Sequence, residues 1–226
     1  MPQGFPNSPQ ILKGAFAVYP SQTPGTQPKT IVFQYNPEQV RRTLTGRTQP
    51  PERGNAGGSR EEATRVFGPP IETINLSVVL NAADQLDHPD SNRTVVEDGL
   101  HPALATLELL LYPSTHAAQQ QRQQAQRGKA QINAADLPLT LLVWGKSRVV
   151  PVQLTSFSVT EEAFDVNLNP IQIKLELALK VLTEMELRPD TIGMEAWLAY
   201  HREKENLAGR AQPYSGDENV RGLLPV

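Results

Sequence analysis

Apolar and polar residues alternate along most of this chain with a period of two, the spacing of a half-buried β-strand. The pattern is clearest over residues 171–181. Ile171, Ile173, Leu175, Leu177, Leu179 and Val181 share one side there, and Gln172, Lys174, Glu176, Ala178 and Lys180 share the other. A strand of this kind packs one face and wets the other. Residues 71–80 repeat the pattern, with Ile74, Leu76, Val78 and Leu80 in register. Shorter strands are expected over 11–19 and 30–35, the second with Ile31, Phe33 and Tyr35 on one face. The Asn36-Pro37 turn then leads to 40–47, the expected partner of 30–35. A buried strand over 139–144 is joined to 148–159 through a hairpin turn at Gly145-Lys146.

Two stretches have helical spacing instead. Leu100, Leu104, Leu107 and Leu111 recur on one face over 100–112, with Pro102 in the first turn and Pro113 as a stop. Residues 191–207 predict an amphipathic helix whose apolar members are Ile192, Met194, Trp197, Leu198 and Tyr200. Residues 81–93 are polar, and 115–135 is a glutamine-rich, basic segment that reads as a solvated helix or a flexible connector. The expected fold is therefore mostly β, of the α+β kind. It is a mostly antiparallel β domain with one packed helix over residues 8–188, carrying long loops at 48–70 and 113–135. A helix and tail follow over 189–226.

Composition sharpens this picture. Twenty prolines, fifteen glycines and a hydrophobic share of 38% imply connectors lying outside a packed core. A net charge of −3 gives no reason to expect a nucleic-acid partner. With no cysteine, disulfides, thiolate metal sites and cysteine nucleophiles are excluded. Residues 1–10 lack the charged and apolar regions of a secretory signal, and no apolar run approaches the ~20 residues that span a bilayer. The expectation is a cytoplasmic protein without direct membrane insertion, which leaves the cell only within something larger.

No motif brings reactive groups together. His88, His101, His116 and His201 are never three or four residues apart, so no helical metal pair forms. Gly145-Lys146-Ser147 resembles the end of a phosphate loop, but Thr140 stands where the first glycine is needed. Ser59 is not in a nucleophile elbow. Glu61-Glu62 and Glu161-Glu162 are adjacent pairs that a strand would send to opposite faces. The expectation is a protein that is not an enzyme and has no catalytic, cofactor-binding or metal-binding residues. Its informative features are surfaces. Lys174, Glu176 and Lys180 form either a solvated sheet face or the wall of an aqueous lumen or inter-subunit seam. Trp197, Leu198 and Tyr200 either pack on their own domain or make a docking helix for a partner groove.

Several segments carry a family likeness. Phe33-Gln34-Tyr35-Asn36-Pro37-Glu38 resembles the opening signature of contractile injection system tube and tube-initiator proteins, and the 107–113 segment resembles their single helix. Leu142-Val143-Trp144-Gly145, Val150-Pro151-Val152, the run from Leu154 to Phe164, and Asn167-Leu168-Asn169-Pro170-Ile171 extend the match, which is most specific between Trp144 and Pro170. The resemblance implies an antiparallel, tube-like β-barrel or sandwich with a flanking helix, assembled with copies of itself as a hexameric ring. It implies a place between the spike hub and the inner tube protein, among the other baseplate and sheath components, where the ring templates tube assembly. Relatives often carry a C-terminal LysM module; this sequence has a helix and tail there instead. Two alternatives stay open: a subunit of the inner-tube filament, and a soluble ligand-binding β-domain.

Overall fold

The computed structural model describes residues 12–47, 67–126 and 137–211. The start of the first expected strand, most of the 48–70 loop with Ser59 and Glu61-Glu62, residues 127–135 and the tail beyond 211 lie outside the described residues. The described residues form a mostly β protein. Its strands are β1 (Ala15–Tyr19), β2 (Lys29–Val32), β3 (Val40–Thr45), β4 (Ile71–Asn81), β5 (Leu139–Val143), β6 (Val149–Phe164) and β7 (Pro170–Val181). They make one seven-stranded antiparallel sheet in the order β2-β1-β5-β6-β7-β4-β3.

The expected partnership of β2 with β3 is not formed. β3 pairs with β4, Val40 opposite Leu76 and Thr45 opposite Ile71, so β2 and β3 sit at opposite edges. The turn at Asn36 does not launch a hairpin because its amide is engaged with the segment before β1. Its Oδ1 accepts from the Gly14 amide at 2.8 Å and its Nδ2 donates to the Leu12 carbonyl at 2.9 Å. Of the three residues expected on one face, Phe33 is buried, Ile31 is half-buried and Tyr35 is half-exposed beyond the end of β2.

The β7 alternation is realised as read. Ile173, Leu175, Leu177, Leu179 and Val181 are all buried. Their neighbours on β4, Ile74, Leu76 and Val78, face the same core. On β6 the inward set is Val150, Val152 and Leu154, then Phe157 and Val159. The change from even to odd positions is made by a bulge between Leu154 and Ser156, where Thr155 is the extra residue. A strand continuing without it would turn Phe157 and Val159 to solvent. β6 also runs past the expected 159 to Phe164, with further irregularities at Glu161–Phe164.

The sheet is curled. On a flat sheet, β2 and β4 would lie about 24 Å apart, five strand spacings. Instead, Gln34, just after β2, donates from Nε2 to the Asn81 carbonyl at 2.6 Å and accepts at Oε1 from the Asn81 amide at 2.8 Å. A side-chain amide here makes the two hydrogen bonds that a paired strand would make. Phe16, Phe33, Ile74, Leu142, Val150 and the β7 row thereby enclose a common interior.

Helix α3 (His101–Glu108) fills the open side of that interior through Leu100, Leu104, Leu107 and Leu110. It is shorter than the spacing predicts. The chain passes into i→i+3 bonds at Leu110 and Leu111, which swing Leu110 into the core and leave Leu111 half-buried. It is also not the single packed helix expected. The polar stretch before it forms α1 (Ala83–Leu86), a 3-10 turn (Pro89–Ser91) and α2 (Arg93–Asp98). Gly99 joins α2 to α3 at φ +58°, and a Cβ there would lie 2.6 Å from the Pro170 carbonyl. Helix α4 (Thr115–Gln126) takes up the glutamine-rich segment.

Helix α5 (Ile192–Gly209) starts at Thr191, whose hydroxyl accepts from the Met194 amide at 3.3 Å. It lies across the outer face of β5 and the start of β6, where Trp197 and Leu187 pack in one cluster with Leu139, Leu141, Val149 and, on β1, Ala17. This second core crosses the boundary expected at residue 188.

Replacing Gln34 by alanine removes both bonds to Asn81 and leaves that backbone short of partners. Loss of about 2 kcal/mol of stability is expected, read as a lower denaturation midpoint in urea with the m-value unchanged. Gln34→Glu, which keeps the acceptor and removes the donor, should recover only part of it.

Candidate functional site: the polar sheet face and its charged anchors

The outer face of β3, β4, β7 and β6 is polar because every second residue of these strands must point away from the core. Cross-strand rows run Arg41–Asn75–Ala178–Ser156, then Ser77–Glu176–Ser158, then Val79–Lys174–Thr160. Small side chains in the first two rows leave a shallow concavity of about 350 Å³ lined by Gln39, Arg41, Asn75, Ser77, Ser158 and Glu176, among others. Of the residues singled out from sequence, Lys174 and Glu176 lie on this face. They are well exposed and separated by 3.9 Å, which makes a weak ion pair. Lys180 is differently placed. Its Nζ donates to Glu186 Oε1 at 2.9 Å, and Glu186 also receives Arg47 at 3.0 Å and the Thr183 hydroxyl at 2.6 Å. It anchors the end of β7 and is not a free charge of the face. The face as a whole offers hydroxyls, amides and charges of both signs, Arg41, Lys174 and Glu176, a surface that exchanges hydrogen bonds with water or a neighbour.

The helix residues also separate. Trp197 and Tyr200 are buried against this chain's own sheet, and Leu198 is half-exposed on the other side of α5. The ring of Trp197 stacks on His201 at 5.7 Å. The apolar face of α5 is thus satisfied within the molecule.

Sequence reading missed the charge cluster beneath α5. Glu72, 3% exposed, is on the inward side of β4, two residues ahead of Ile74. Its Oε1 accepts from Arg42 Nη2 at 2.6 Å, Arg42 Nε at 2.8 Å and the Tyr200 hydroxyl at 3.0 Å. Its Oε2 accepts from Lys204 at 2.9 Å, and Lys204 also lies 4.1 Å from the centre of the Tyr200 ring. Burial pushes the Glu72 carboxyl up, but the hydrogen bonds and charges of Lys204 and Arg42 outweigh it and hold the group below its usual range. Burial, together with the charge of Glu72, lifts the Tyr200 phenol to about 12. The signal was available. Extending the Ile74–Leu80 alternation backward by one step puts a carboxylate on the core side, and such a group needs cations from elsewhere in the chain.

Among the described residues there is no group of three or more histidine, aspartate or glutamate side chains disposed to hold a metal ion. Among those same residues, no helix is long and apolar enough to cross a membrane. No family model and no curated protein matches the chain.

Two outcomes are expected. Glu72→Gln strips the counter-charge from Arg42 and Lys204 and should cost about 3 kcal/mol, measured by chemical denaturation; the ordering of α5 should loosen, seen as faster amide exchange over residues 192–209. The pH dependence follows from Glu186. Against an upward push from burial, Thr183, Lys180 and Arg47 hold its carboxyl down at about 2. Its contribution is complete above the ordinary carboxylate value of 4.5 and is lost as pH falls from there through about 2. Melting temperature should drop over that window, and Glu186→Gln should flatten the drop while lowering stability at neutral pH.

Proposed function

We propose that this chain is a structural subunit of a phage-tail-like contractile injection system. Copies form a hexameric baseplate ring that joins the spike hub to the inner tube and templates tube growth. The reading assigns no catalysis to the chain. It rests first on the segments that resemble tube-initiator proteins. The observation that supports it best is the state of the sheet edges. Among the described residues, β2 and β3 each have one strand neighbour, and β6 beyond Gln153 is flanked by β7 alone. Unpaired edges of this length template strand addition and are a liability in a solitary protein; in a ring they are the means of joining subunits. The polar face around Lys174 and Glu176 suits a wall that borders water. Trp197 and Tyr200 serve α5 by holding it on the sheet, and Leu198 remains open to a neighbour.

The test is the copy number of the chain in intact particles, measured by quantitative mass spectrometry against isotope-labelled peptides. A single ring predicts about six copies per particle, independent of particle length. A number that rises with length identifies a tube-filament subunit. Absence from particles removes the assembly reading and leaves a soluble ligand-binding β-domain.

A further inference from the structure

The β6–β7 hairpin ends in a loop, residues 165–169, that holds two aliphatic side chains out in water. Val166 is 98% exposed and Leu168 is 77% exposed, with Phe164 half-exposed beside them. A loop free to move would fold such groups back onto its own protein. This one is braced. Asp165 donates its amide to the Asn169 carbonyl at 2.9 Å, and its Oδ1 accepts from the amides of Asn167 and Asn169, both at 2.8 Å. Asn169 Nδ2 donates to Asp165 Oδ2 at 3.0 Å and to the Glu97 carbonyl at 2.9 Å, which ties the loop to the end of α2. Leu168 is held at φ 64°, in the left-handed region that favours glycine or asparagine. The Leu168 amide donates to the Asp165 carbonyl at 3.2 Å, but its side chain lies largely in solvent, and backbone strain of this kind concentrates where a segment binds.

The surroundings are acidic. Glu161, Glu162 and Asp165 lie on the hairpin, and Glu97 and Asp98 end the helix braced against it. Across residues 82–100 and 160–170 the sole lysine or arginine is Arg93.

We propose that this loop is a preformed docking knob, with Val166 and Leu168 entering an apolar socket rimmed by lysine or arginine on a different polypeptide. The charge around the knob selects the rim, and the bracing means that little ordering is left to be done on binding. A second copy of this chain fits less well. At the opposite end of the sheet the exposed apolar residues Leu44, Ile71 and Met185 adjoin two cations, Lys180 and Arg47, but both are already paired with Glu186, and Glu184 adds a further negative charge. The inference stands whether or not the chain forms a ring.

The test places the photo-crosslinking residue p-benzoylphenylalanine at position 164 of the full chain, expressed in the cells that make it, with linked peptides identified after irradiation. The expected product is a conjugate with a different polypeptide, linked within a segment that carries lysine or arginine beside apolar residues. Val166→Thr combined with Leu168→Asn, which adds no charge to the acidic loop, should lower its yield about tenfold without lowering the melting temperature, since both side chains already face water. Leu168→Asn alone is the second arm. It tolerates the left-handed backbone, so the melting temperature should stay or rise while the conjugate falls. No conjugate, a conjugate only with another copy of this chain, or a yield indifferent to these substitutions would overturn the proposal.

Discussion

The row Ile173, Leu175, Leu177, Leu179 and Val181 on β7 sets the terms for the rest of the molecule. Once these side chains point inward, both neighbouring strands must present apolar groups at matching levels, because directly opposed residues share a face. β6 meets that demand only by carrying an extra residue at Thr155, without which its second half would be out of phase. β4 meets it with Ile74, Leu76 and Val78, and the same phase carries Glu72 to the core side. A buried carboxylate requires opposite charge and hydrogen bonds. Arg42 from β3 and Tyr200 and Lys204 from α5 supply them. One hydrophobic row thus accounts for a bulge, an ionic cluster and the seat of the C-terminal helix.

The elements that were legible in the sequence are those whose identity depends on local periodicity. The β7 alternation, the β4 alternation and the hairpin at Gly145, which sits at φ +76°, could each be read from a few consecutive residues. What was not legible depends on pairing across long separations. Nothing local in residues 40–47 says that they will join β4 and not β2; that choice is made by the inward groups of Ile74 and Leu76 and by Asn36 being already engaged with Gly14. The polar stretch 81–93 conceals short helices because they are stabilised by what they pack on, not by an apolar stripe of their own. In the candidate site, Lys174 and Glu176 were placed by parity alone. Lys180 shares that parity, yet its partner Glu186 lies past the end of the strand, where alternation carries no information.

The curled sheet and the two cores divide the labour of the surface. The inner core and the α5 face use up the apolar side chains of β1, β5 and the first part of β6. The outer faces of β4, β7 and the rest of β6 are left polar, and the longest strands therefore meet water or a neighbour through hydroxyls, amides and charge. The exposed aliphatic groups of the β6–β7 turn stand apart from this pattern, at the end of the molecule and not on its flank.

Two carboxamides hold the chain after β2: Gln34 bonds Asn81 across the closure of the sheet, and Asn36 ties the turn to the segment before β1. Carboxamides age. An asparagine is commonly lost when the nitrogen of the following peptide attacks its side chain, closing a succinimide ring that hydrolyses to aspartate or isoaspartate. Pro37 follows Asn36, and its nitrogen carries no hydrogen to be released in that cyclisation. The proline that turns the chain after β2 therefore also closes this route of deamidation at Asn36, and the carboxamide that holds Gly14 and Leu12 keeps its donor as well as its acceptor.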